Sequence, residues 1–243
     1  MGRMGSSPRA RWRPRGAGIR PLVVAHRGLV GPAPENTLES IRAAIAAGAD
    51  AAEVDVRRDR GGRLILAHDP LPVASGAVDP SRLPGGAPEP VALADALALA
   101  RGRLGLNLEV KEAGLAAEVA AAISDLSSPQ EILVSSFLES EIENLAHVLP
   151  ECPTGLVRGA LGVTGRRLPG VVRQALACGA THLVIERHRA RDRVLDGAGD
   201  SGLEVLVWTV NQPRQLRRFL HDDRISGVIT DHARQALKLR AEG

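Results

Sequence analysis

Residues 22–56 read LVVAHRGLVGPAPENTLESIRAAIAAGADAAEVDV. An apolar run, Leu22 to Ala25, stops abruptly on His26-Arg27-Gly28, and a second polar cluster, Glu35-Asn36-Thr37, follows. Pro34 holds the lead-in extended, and Asn36 or Thr37 is placed to cap a helix. The segment TLESIRAAIAAG then carries apolar residues at helical spacing and ends on Gly48, a common helix stop. A new strand, AEVDV (52–56), comes next. The stretch is therefore strand, polar turn, helix, strand, and the polar residues gather where the first strand ends. Gly28 is read as letting the backbone turn away close to a substrate.

The same alternation runs on from there. Further strand candidates are LGLNLEV (104–110), ILVSS (132–136), TGLV (154–157), THLVI (181–185), EVLVWTV (204–210) and GVIT (227–230). Between them lie helical patterns such as ALADALALARG, LAAEVAAAISDL, PGVVRQALACG and QPRQLRRFLHD. Eight strands with intervening helices predict an α/β fold, a (β/α)8 TIM barrel rather than an open sheet. RLILAH (63–68) follows the turn Asp59-Arg60-Gly61-Gly62 and reads as a hairpin partner of the second strand, a short insertion rather than a ninth barrel strand. Residues 69–90 are rich in Pro and Gly and read as one long loop of the kind that serves as a lid.

Composition narrows the function. Hydrophobic residues make up 44% of the 243, enough for a large core, but aromatics are only 2%, so Ala, Val and Leu must fill it. The net charge of +3 is local: residues 1–20 hold six arginines and no acid, which leaves the remainder at −3. Residues 1–20 read as a disordered basic tail and 21–243 as a single barrel domain. The folded part then has no basic face for nucleic acid. The tail has no apolar core for a secretory signal, and no run is long enough for a transmembrane segment. Cys152 and Cys178 form no CxxC pair and read as small core residues in a reducing cytoplasm.

Catalytic groups of such barrels sit at the C-terminal ends of the strands. Here those ends carry His26-Arg27, Glu53 and Asp55, His68-Asp69, Glu109-Val110-Lys111, Ser135-Ser136, Trp208 to Asn211, and Thr230-Asp231. Glu53 and Asp55 are two apart on a strand and share a face. Two carboxylates buried together call for a proton or a cation between them. With Glu109 they form an all-oxygen set suited to one divalent cation, Mg2+ or Ca2+, rather than zinc. Two histidines beside that set fit a general acid and a general base, and Arg27 and Lys111 add positive charge. Cation, arginine, lysine and two histidines together match the needs of phosphate-ester cleavage.

The ordered set HRG (26–28), PENT (34–37), GADAAEVDV (48–56), LILAHD (64–69), LNLEVK (106–111), VSSF (134–137), VWTVN (207–211) and GVITD (227–231) resembles the glycerophosphodiester phosphodiesterase family, from about Pro21 to Ala236. The resemblance implies hydrolysis of glycerophosphodiesters to sn-glycerol 3-phosphate and an alcohol, by water or through a cyclic glycerol phosphate, in glycerophospholipid turnover. It also implies His26 and His68 as the acid/base pair and Glu53, Asp55 and Glu109 as metal ligands. Arg27 and Lys111 would hold phosphate, Trp208 would line the pocket, and Glu35 and Asn36 would support the His26 loop. Only 40 residues separate His68 from Glu109, short for the family's capping insertion, which implies an open pocket. A lysophospholipase D-type activity on lysolipids is the alternative enzyme, and a silent barrel that only binds is the non-enzymatic one. His147, His182, His188, His221 and His232 read as surface or packing residues in or near helices and loops, and IERHRARDR (185–193) as a solvated loop.

Overall fold

Short β-branched and Leu-rich runs form the strands, and Ala/Leu-rich runs form the helices, as their side-chain shapes favour. The computed structural model describes Trp12 and residues 20–31, 33–70, 89–159 and 170–242. The strands are β1 (Leu22–Ala25), β2 (Ala51–Arg58), β3 (Leu64–Leu66), β4 (Gly105–Val110), β5 (Ile132–Ser136), β6 (Thr154–Arg158), β7 (His182–Glu186), β8 (Glu204–Trp208) and β9 (Gly227–Thr230). The helices are α1 (Leu38–Ala47), α2 (Leu93–Ala100), α3 (Ala116–Leu126), α4 (Glu139–Val148), α5 (Val171–Ala177), α6 (Asp192–Asp200), α7 (Pro213–Leu220) and α8 (Ala233–Ala241).

Strand order is β1-β9-β8-β7-β6-β5-β4-β2, closed by pairing of β1 with β2. All these pairings are parallel, and a helix follows each strand of the ring, so this is the (β/α)8 barrel read from the sequence. β3 lies antiparallel on β2, with Val56 opposite Leu66 and Arg58 opposite Leu64, as a hairpin outside the ring. Residues 71–88, the rest of the candidate lid loop, lie outside the described residues.

The period-two alternation of the strands separates two apolar layers. Val23, Val54, Leu108, Val205 and Val207 face the helices. Val24, Ala51, Leu133, Val157, Val184, Leu206 and Ile229 face the barrel interior. Trp12 joins that inner layer, only 2% exposed, and its Nε1 donates to the Glu131 carbonyl at 3.0 Å, just before β5. It therefore seals the N-terminal end of the ring. The expectation of a disordered tail fails at this residue, because a large apolar ring gains more from burial than its Arg- and Pro-rich neighbours suggest. The other residues of 1–19 lie outside the described set.

His182 also departs from its expected place. It is on β7, inside the barrel, with its ring centroid 6.2 Å from that of Trp12 in an edge-to-face arrangement. IERHRARDR likewise divides: Ile185 and Glu186 end β7, Asp192 opens α6, and only 187–191 form the loop. Both cysteines are buried and unpaired, and burial pushes the Cys152 thiol up to about 12.

Candidate active site

The site begins where β1 leaves β2. The two strands share only two pairs, Val24 with Ala51 and Ala25 with Ala52. Beyond them β2 still has backbone groups to satisfy. Gly28 N donates to the Glu53 carbonyl at 3.0 Å, Asp55 N donates to Asn36 Oδ1 at 3.0 Å, and Ala67 N donates to the Asp55 carbonyl at 3.0 Å. β3 then takes over. A loop, one side chain and a hairpin thus replace a strand, and the carboxylates lie along that gap.

The loop that does this is held in an uncommon conformation. Arg27 (φ 53°) and Asn36 (φ 56°) are both in the left-handed region, and Asn36 N donates to the Arg27 carbonyl at 3.0 Å. Thr37, not Asn36, caps α1, in a reciprocal box with Ser40. Asn36 is used instead on β2: its Nδ2 donates to Asp55 Oδ2 at 2.9 Å. Gly28 (φ 79°) packs on α1, where a Cβ would lie 2.1 Å from Ser40 Oγ. The close approach that requires glycine here is to helix α1.

Glu53 and Asp55 are 2% and 1% exposed, and ligand oxygens of Glu53, Asp55 and Glu109 lie within 4.8 Å of one another. Burial and then the neighbouring Asp55 charge push the Glu53 carboxyl up to about 8. Asp55 moves the other way: burial raises it, but Lys111, Asn36 and Arg27 together outweigh that and hold it low. Lys111 Nζ is 2.8 Å from Asp55 Oδ1 and also bonds Glu109. Arg27 N donates to Glu53 Oε2 at 2.9 Å, its Nε lies 3.4 Å from Asp55, and its Nη1 is 2.9 Å from both Glu35 carboxylate oxygens. Three hard oxygen donors around a carboxyl that resists ionisation fit a divalent cation: a positive charge there would offset the repulsion that raises Glu53.

His26 stands beside this cluster, its Nε2 3.9 Å from Glu53 Oε2. Its Nδ1 is 2.7 Å from Asp231 Oδ1 at the end of β9. Burial lowers its pKa, but the Asp231 hydrogen bond and the Glu53 charge together outweigh burial and raise it. Asp231 is held low first by that same bond. Asn211 fixes Asp231 in turn: its Nδ2 donates to Asp231 Oδ2, and its Oδ1 accepts from Asp231 N at 3.0 Å. Both residues stand in strand-end motifs, VWTVN and GVITD, that carry no role for either on their own. The signal was their position at strand ends, which becomes a contact only when the ring closes.

His26, Arg27, Glu35, Asn36, Glu53, Asp55, Glu109 and Lys111 are therefore one connected group. His68 is set apart on the hairpin; its side chain is 37% exposed and Nδ1 pairs with Asp69 Oδ1 at 2.9 Å. Trp208 stands at the end of β8, where its Nε1 donates to the Val184 carbonyl and its ring meets Phe137 edge-to-face at 5.9 Å.

A model of the glycerophosphoryl diester phosphodiesterase family matches residues 26–80 and 106–235. The chain belongs to that family. Like its named relatives, this family member is a phosphoric diester hydrolase. It is 22% identical over 258 residues to the glycerophosphodiester phosphodiesterase of Caldanaerobacter subterraneus, covering 93% of this chain and 100% of that one. The glycerophosphodiester phosphodiesterase of Agrobacterium tumefaciens has the same fold, with a TM-score of 0.71 at 22% identity over 91% of this chain and 99% of that one. So does an Oleispira antarctica phosphodiesterase solved with the product sn-glycerol-3-phosphate, at a TM-score of 0.73 and 22% identity, covering 90% and 96% of the two chains.

Proposed function

We propose that this family member is a divalent-metal-dependent hydrolase that cleaves glycerophosphodiesters to sn-glycerol 3-phosphate and an alcohol, in cytoplasmic glycerophospholipid turnover. The observation that carries the reading is the convergence of Glu53, Asp55 and Glu109 beside the His26–Asp231 pair at the barrel mouth. The product named for the Oleispira relative supports the substrate class.

Glu53, Asp55 and Glu109 would hold Mg2+ or Ca2+, which when bound supplies positive charge against the phosphoryl oxygens. The protein's own groups do the rest. Arg27 and Lys111 add charge that favours a phosphate over neutral esters. With the Nδ1 proton of His26 directed at Asp231, Nε2 is the nitrogen that takes or gives a proton at the reacting oxygen. His68, on the hairpin that lies along β2, is the second proton carrier. Asn36 and Glu35 keep Asp55 and Arg27 in place. Release of glycerol 3-phosphate from glycerophosphocholine, abolished by EDTA and restored by Mg2+ or Ca2+, is the expected result. Turnover that survives EDTA would rule out the metal requirement.

One observation favours a second reading, a lysophospholipase D-type activity. Phe137 is 43% exposed, Leu138 36% and Val30 37%, and all three follow strand ends at the mouth, where an acyl chain could lie. Faster cleavage of a lysolipid than of glycerophosphocholine would select it.

A further inference from the structure

Glu186 is a buried carboxylate that the chemistry above does not use. Inward positions of β7 recur every second residue: His182 meets Trp12, Val184 joins the inner apolar layer, and Glu186 comes next, at the mouth, 8% exposed. It pairs in register with Trp208 on β8. In the closed ring, β7 is four strands from β2 in either direction, so Glu186 faces Glu53 and Asp55 across the opening.

Its carboxylate is anchored at one oxygen only. Oε2 accepts from His188 N at 2.9 Å. The nearest side-chain nitrogens to Oε1 are Arg187 Nη1 at 3.4 Å and His188 Nε2 at 3.8 Å, both beyond ordinary hydrogen-bond length. Among the described residues that oxygen has no hydrogen-bond donor of its own, and it stands open at the mouth, free to accept from a ligand. The Arg187 guanidinium disfavours a second cation at the same point, which leaves neutral hydroxyls. The Trp208 ring beside it suits the C–H face of a small polyol.

We infer that Glu186 is a specificity-determining residue that accepts hydrogen bonds from the vicinal diol of the substrate's glycerol arm, while the phosphate sits at the β2–β4 carboxylates. This rests on the function proposed above. It makes the mouth two-ended: charge on one wall recognises phosphate, and an acceptor on the opposite wall recognises hydroxyls.

Glu186→Gln keeps the size and the bond to His188 N but weakens the acceptor. In calorimetry with the full chain, wild type is expected to bind glycerol 3-phosphate at least about tenfold more tightly than methyl phosphate, and Glu186→Gln to lose that preference. In turnover, kcat/KM on glycerophosphocholine should fall about tenfold relative to bis(4-nitrophenyl) phosphate, mainly through KM. Equal losses on both diesters would mean that Glu186 only shapes its loop, and would overturn the inference. So would equal wild-type binding of the two phosphates, or a loss confined to glycerophosphoglycerol, which would put the departing alcohol at Glu186. A wild type that shows the calorimetric preference yet does not cleave glycerophosphocholine would defeat the proposed reaction and still support the diol contact.

Discussion

His26 and Asp231, 205 residues apart in sequence, are joined by a 2.7 Å contact between Nδ1 and a carboxylate oxygen. That contact decides which ring nitrogen carries the fixed proton and which one is left for chemistry. Asp231→Asn would offer an amide in place of the acceptor and favour the wrong tautomer. Loss of kcat on glycerophosphocholine by about 10³-fold, with the melting temperature little changed, is the expected outcome. The His26 resonance, followed by NMR, should titrate at lower pH in the variant, since the Asp231 hydrogen bond is the largest of the effects that raise it. Wild-type kcat in Asp231→Asn would remove the proton-carrier role from His26 Nε2.

The acid cluster should register a cation in the unreacting protein as well. Metal that binds only the folded state raises stability by about 2.7 kcal/mol at a hundredfold excess over Kd. Mg2+ or Ca2+ should therefore raise the melting temperature of wild type, and EDTA should reverse it. Glu53→Gln and Glu109→Gln should abolish the shift. A shift of wild-type size in either variant would place the ion elsewhere.

Asn36 satisfies both the backbone N–H and a carboxylate oxygen of Asp55, in a conformation that asparagine tolerates better than most residues. Asn36→Ala leaves two buried polar groups unpaired, at a cost of about 2–4 kcal/mol. Urea denaturation should show this loss, and activity should fall because Asp55 is no longer held. A change under about 0.5 kcal/mol would mean that solvent replaces Asn36 without penalty.

His182 gives the barrel a pH dependence separate from catalysis. Burial depresses its pKa to about 4, against 6.5 in the unfolded chain. Between those values the unfolded state binds more protons, so stability is full above about pH 6.5 and falls as pH drops toward 4, by about 3 kcal/mol at most. Urea midpoints at pH 7 and pH 5 should differ less in His182→Gln than in wild type. An identical difference in both proteins would show that His182 protonates without opening the barrel.

Much of this was legible in the sequence, for a physical reason. Strands that must face a helix layer on one side and a packed interior on the other are nearly continuous apolar runs, so a polar residue stands out where such a run ends. That is why His26, Glu53, Asp55, Glu109 and Lys111 could be picked out, and why RLILAH read as a hairpin beside AEVDV. The contacts themselves had no such signal: Asp231 reaches His26 because β9 lies beside β1, and Asn211 reaches Asp231 because β8 lies beside β9. Trp12 was hidden by arginines and prolines around it, and Glu186 by the charged residues that follow it. Gly28 was seen, but its partner, Ser40, belongs to the packing of a helix rather than to the reacting groups.

The short β1–β2 seam has a consequence for how the enzyme behaves as a material. Two joints of the hoop have only two strand pairs each, β8–β9 and β1–β2, and the β1–β2 joint is finished by Gly28, the Asn36 side chain and a hairpin. Under thermal or mechanical load the barrel should part first along this line, which runs through the carboxylates. Whatever occupies the site is then also a clasp on the hoop, and the amides of Gly28 and Asp55 should report its arrival by slowing their hydrogen exchange.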